Sequence, residues 1–132
     1  MLSIKIKKKK KIRKARKIKA EKFDGNIEYK LRLCDLSNTS RLDKLITQLH
    51  YRLYEGDGKA IYNIGYNDNG FPHGIVIDSL YDNLKVFHKI ADAAQCTIFS
   101  INIMKGIDGY CANIYLGKNN TNLFDDLLAE CY

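Results

Sequence analysis

The hydrophobic spacing of this chain switches repeatedly between that of a strand and that of a helix, and the order of the switches restricts the fold more than any motif does. Ile27, Tyr29, Leu31 and Leu33 alternate with Glu28, Lys30 and Arg32, as in a strand with one core face and one wet face. Leu42, Leu45, Ile46, Leu49 and Leu53 then recur at helical spacing. Asn38, Thr39 and Ser40 offer capping oxygens and Asp43 stands where a capping box needs it, so a helix is expected over about 39–54. Glu55-Gly56-Asp57-Gly58 should stop it, because glycine takes the positive φ that ends helices. Lys59–Tyr66 reads as a second strand and Ile75–Ile77 as a short third. The turn sequence Asn67-Asp68-Asn69-Gly70 between them predicts a hairpin. Asp78 or Ser79 can cap a second helix with the face Leu80, Leu84, Phe87, Ile90, Ala91 and Ala94. Thr97–Ile103 and Tyr110–Leu116 alternate around a Gly106–Gly109 turn as a final hairpin. The expectation is an α+β, split βαβ (ferredoxin-like) two-layer sandwich, with an antiparallel sheet of about five strands and two helices on one face.

Charge divides the chain differently. Residues 1–22 hold twelve of the 22 Lys and Arg and one Glu, whereas the remainder carries more acid than base. Too little apolar surface stands among those lysines to offset the entropy of ordering them, so 1–22 is expected to be a disordered basic arm. The folded unit then covers 23–117, and 118–132 is a polar tail with room for a short docking helix. A self-repelling run of this kind fits a polyanion, which makes Lys7, Lys8, Lys9, Lys10, Lys11, Arg13, Lys14, Arg16, Lys17 and Lys19 the candidate contacts to RNA or the ribosome.

No run approaches the ~18 apolar residues of a membrane span, and no apolar segment follows the basic one as in a secretory signal. A cytoplasmic location is expected, with a nuclear or nucleolar address as a further role for the arm. Cys34, Cys96, Cys111 and Cys131 form no C-x-x-C pair, and His50, His73 and His88 are scattered, so buried free thiols are expected and no metal site. There is no G-x-S-x-G. The Gly-Lys pairs are followed by Ala60 and Asn119 and not by the hydroxyl of a P-loop, so neither an enzyme nor a cofactor is expected in this chain. The strand tyrosines Tyr29, Tyr62, Tyr66, Tyr110 and Tyr115 read as sheet packing rather than as a base-stacking platform.

Glu28-Tyr29-Lys30-Leu31, Thr47-Gln48-Leu49 with Arg52-Leu53, Glu55-Gly56, Ala60-Ile61-Tyr62, Ile64-Gly65 and Asp68-Asn69-Gly70 together give the chain a more specific likeness. Over roughly 25–116 it resembles the accessory region before the GTPase domain in the GTP-binding protein 1 and 2 family, translational GTPases related to elongation factor Tu. The resemblance implies a non-catalytic accessory domain working in translation. Since the motifs of the GTPase domain are missing, it implies a truncated or stand-alone relative, or one whose GTPase domain is a separately encoded partner. It also directs attention to Glu55, Asp57, Asp68 and Asn69 as partner contacts, although a helix stop and a hairpin turn are the plainer explanation. Two other readings stay open: a small nucleic-acid-processing enzyme, and a protein-interaction module whose arm is only a nuclear or nucleolar address.

Overall fold

The structure, a computed structural model, describes residues 12–33 and 39–119. Its elements are β1 (Ile27–Lys30), α1 (Thr39–Glu55), β2 (Lys59–Ile64), α2 (Ile77–Ala93), β3 (Cys96–Gly106) and β4 (Gly109–Lys118). They form an α+β fold with a sheet ordered β1-β2-β4-β3, in which β1 runs parallel to β2 and the other neighbours are antiparallel. Among the described residues the sheet is therefore mixed and four-stranded, not antiparallel and five-stranded. α1 is long enough to carry the chain back along the sheet, and such a crossover makes its two flanking strands parallel. β2 and β3 both run against β4, which lies between them, so the split βαβ unit is β2-α2-β3. β1-α1-β2 is a direct βαβ unit.

The expected hairpin after β2 is absent for a local reason. Gly65 and Gly74 take φ of +87° and +90°, and the Gly74 N–H donates to the Gly65 carbonyl at 2.8 Å, folding the segment into a loop. A Cβ on Gly65 would stand 2.9 Å from the Tyr110 carbonyl oxygen, so only glycine fits. Ile75 merely exchanges two backbone bonds with Tyr110, and Ile77 already begins α2. That helix starts after Val76 without a side-chain cap; Asp78 sits in its first turn, near the positive end of the dipole.

Both helices cover one face of the sheet. Ala60, Tyr62 and Ile64 of β2, Ala112, Ile114 and Leu116 of β4 and Ile101 of β3 meet Leu45, Leu49 and Leu53 of α1 and Leu80, Leu84, Phe87 and Ile90 of α2. The Tyr62 and Phe87 rings pack with centroids 4.8 Å apart. Each fully buried large side chain here contributes about 1.5–3 kcal/mol.

β1 presents this face with the parity opposite to expectation. Its register sets Glu28 beside Tyr62 and Tyr29 beside Asn63, so Glu28 turns toward the helices and Ile27 and Tyr29 toward the other side.

Candidate functional site

Residues 12–22, assigned by composition to the basic arm, run across the face of the sheet that the helices leave open. The Ala15 N–H donates to the Lys105 carbonyl and the Lys105 N–H to the Arg13 carbonyl, both at 2.8 Å, so the strap begins as a short bridge on β3. The Tyr66 hydroxyl donates to the Arg16 carbonyl, the Ile18 N–H to Gly70, the Tyr29 hydroxyl to Lys19 and the Glu21 N–H to Asp68. Ala15 packs into a small apolar patch of Tyr29, Tyr66 and Cys111.

The far end of the strap is tied down from beneath. Arg52 lies in the apolar stripe of α1 and is 3% exposed. Its Nε meets Glu28 Oε1 at 3.1 Å, and its Nη atoms donate to the carbonyls of Lys22, Asp24 and Gly25. Glu21 joins this group, accepting the Tyr29 N–H and lying 3.9 Å from Arg52. Burial first, and then the neighbouring Glu28 carboxylate, push the Glu21 carboxyl up to about 7, against the opposing pull of Arg52. These groups floor a cleft of about 720 Å³ that also includes Asp43, Gln48 and Tyr51. Arg52 is already engaged with both carboxylates and three carbonyls, an arrangement suited to anchoring the chain.

With the backbone held, the side chains of Arg13, Lys14, Arg16, Lys17 and Lys19 project into solvent. Lys17 Nζ also lies 5.1 Å above the Phe71 ring. Lys7 to Lys11 lie outside the described residues. The strap crosses only one end of the open face and forms one wall of a groove of about 1470 Å³. The open face carries two level rows, whose β1, β2 and β4 members floor the groove. Tyr29, Asn63, Asn113 and Asn102 face one another across the four strands, and Ile27, Ile61, Tyr115 and Ser100 form the next row. Asn113 Nδ2 donates to Asn63 Oδ1 at 2.6 Å, leaving the other amide atom of each side chain with no partner among the described residues. Sequence reasoning missed this row. Asparagine is disfavoured in strands, so three at strand centres were the available signal.

The candidate partner contacts are not brought together. Glu55 and Asp57 precede β2, whereas Asp68 and Asn69 follow it. Glu55 accepts the Gly25 N–H at 3.1 Å and the Tyr51 hydroxyl at 3.3 Å; Asn69 Oδ1 accepts the Phe71 N–H at 3.1 Å, closing its own turn. Asp57 stops α1 with a φ of +55°. Of the thiols, Cys96 and Cys111 are free and buried, while Cys34 and Cys131 lie outside the described residues. Among the described residues no group of three or more His, Cys, Asp or Glu could hold a metal, and no helix is long and apolar enough to cross a membrane.

Over 78 residues the chain is 42% identical to GTP-binding protein 2 of Mus musculus and, equally, of Homo sapiens. Over that stretch the two are related. The match covers 59% of this chain and 13% of GTP-binding protein 2, so the chain corresponds to about an eighth of that protein's length. An uncharacterized protein of Acanthamoeba polyphaga mimivirus is 31% identical over 108 residues, which cover 81% of this chain and 56% of the viral protein. No family model matches the chain. No solved structure matches it either.

Proposed function

We propose that this chain is a non-catalytic accessory region that works beside a GTPase domain in translation and holds RNA, ribosomal RNA included, on the cations of its strap. One observation carries the reading. Backbone bonds from Arg13 to Glu21 fix the strap on the sheet while the side chains of Arg13, Lys14, Arg16, Lys17 and Lys19 stay in solvent. Cations displayed on a fixed backbone meet phosphates with less loss of chain entropy than cations on a free arm. The likeness to part of GTP-binding protein 2 supports the association with a GTPase. The sequence contains no P-loop, so the GTPase domain would be another polypeptide or another part of the same one.

RNA affinity of the whole chain, measured against salt, tests this. Replacing Arg13, Arg16, Lys17 and Lys19 together by Gln should make the slope of log affinity against log salt shallower by about 0.7–0.9 for each phosphate no longer neutralised. An unchanged slope and affinity would refute the reading.

A further inference from the structure

We infer that the open sheet face beside the strap is a seat for single-stranded RNA, with bases lying on the Tyr115 row and their edges meeting the Asn63–Asn113 pair. This rests on the RNA reading of the strap and adds what the groove would select.

The floor has the chemistry that unpaired bases need. Tyr115 is 41% exposed and stands between Ile61 and Ser100, giving a base an aromatic surface with an apolar neighbour. Asn63 is only 5% exposed, lines the groove and uses just one of its amide atoms. The bonded pair thus offers one spare donor, Asn63 Nδ2, and one spare acceptor, Asn113 Oδ1. Swapping O and N in both amides leaves the same complement. Both residues line the groove, so these atoms can meet a ligand there. Base edges pair a donor with an acceptor in the same way.

Charge names the occupant. Arg13, Lys14, Arg16, Lys17 and Lys19 all line the groove, so a chain lying along the floor would have cations along its flank. Among the described residues no carboxylate lines it, which disfavours a basic or metal-bearing ligand. An acidic peptide would satisfy the cations but would leave the stacking surface unused. Duplex RNA would reach the strap, yet its bases are stacked inward and cannot lie on the floor.

The test compares a single-stranded RNA oligonucleotide with a duplex of the same length, by fluorescence anisotropy with the whole chain at one salt concentration. The single strand should bind at least about tenfold more tightly, because stacking adds to the phosphate attraction. Tyr115→Ala should cost about tenfold in single-strand affinity and leave duplex binding and the salt slope as they were. Asn113→Ala should act in the same direction. Melting curves check that each variant folds, and Tyr115 is exposed enough to be trimmed without emptying the core.

Equal binding of single strand and duplex would overturn the inference. So would unaltered single-strand binding by folded Tyr115→Ala, even if the Gln substitutions in the strap weaken both RNAs; that pattern leaves the strap reading standing. If those substitutions weaken neither RNA, both readings fall together. A polyglutamate peptide that displaces the single strand at equal charge concentration would assign the face to protein and count against the inference.

Discussion

Glu28 of β1 and Arg52 of α1 meet at 3.1 Å, both nearly sealed from solvent, and the same guanidinium holds the backbone carbonyls of residues 22, 24 and 25. The ion pair therefore ties the first helix to the edge strand and to the end of the strap just before it.

Arg52→Met should accordingly destabilise the protein by about 3–5 kcal/mol, since Glu28 would remain buried with only Lys30, at 4.0 Å, to offset its charge. Adding Glu28→Gln should recover a substantial part of that loss, because it removes the stranded charge. Urea unfolding of the single and double variants measures both effects. A double variant no more stable than Arg52→Met would contradict this account.

The strap should hold more firmly in mild acid than in mild base. The Glu21 carboxyl is raised from 4.5 to about 7 in the folded protein, so folding favours its protonated form. That contribution is complete below the unfolded value and is lost as pH rises through about 7. Hydrogen exchange at the Tyr29 and Ile18 amides should therefore accelerate from about pH 5.5 to about pH 8 beyond the intrinsic base-catalysed rise. Glu21→Gln, which keeps an acceptor for Tyr29 without the charge, should remove the excess.

Gly70→Ala should lift the middle of the strap. Gly70 takes a φ of +90°, and a Cβ there would stand 1.9 Å from the Ile18 carbonyl oxygen, closer than any backbone shift of a few tenths of an ångström could relieve. A cost of about 1–3 kcal/mol is expected, with weaker protection at Ile18. Thermal melts and amide exchange report the two separately.

Neither described cysteine should react before the protein opens. Burial pushes the Cys111 thiol up to about 11 and raises Cys96 as well, with Lys118 opposing the latter, so both thiolates are scarce at neutral pH. In a Cys34→Ser, Cys131→Ser background, labelling by a thiol reagent should follow the rate of opening. Fast labelling in native buffer would contradict the burial of both.

The helices are legible in the sequence because their apolar stripes have a single period and a single buried side. α1 at Thr39–Glu55 and the α2 face from Leu80 to Ala91 match the spacing closely. The parity of β1 is not legible, because it buries a side chain on each face, Glu28 toward the helices and Tyr29 under the strap, and alternation cannot say which is which. A clue is present in α1, where Arg52 shares the stripe of Leu45, Leu49 and Leu53 and must find a buried anion. The sequence at Asn67–Gly70 does mark a turn, but what that turn joins depends on Gly65 and Gly74, whose constraint comes from Tyr110 and Gly109 far along the chain. The groove floor is hidden for a related reason. Its two rows are assembled from three strands, and only the register puts Asn63 against Asn113.

Order of synthesis gives the strap a particular history. Residues 13–21 leave the ribosome before Asp68, Gly70 and Lys105, whose carbonyls they need. β3 joins the sheet only through β4, so the surface that receives the whole strap is complete only after β4 is made, and docking of its first residues must wait for the last strand.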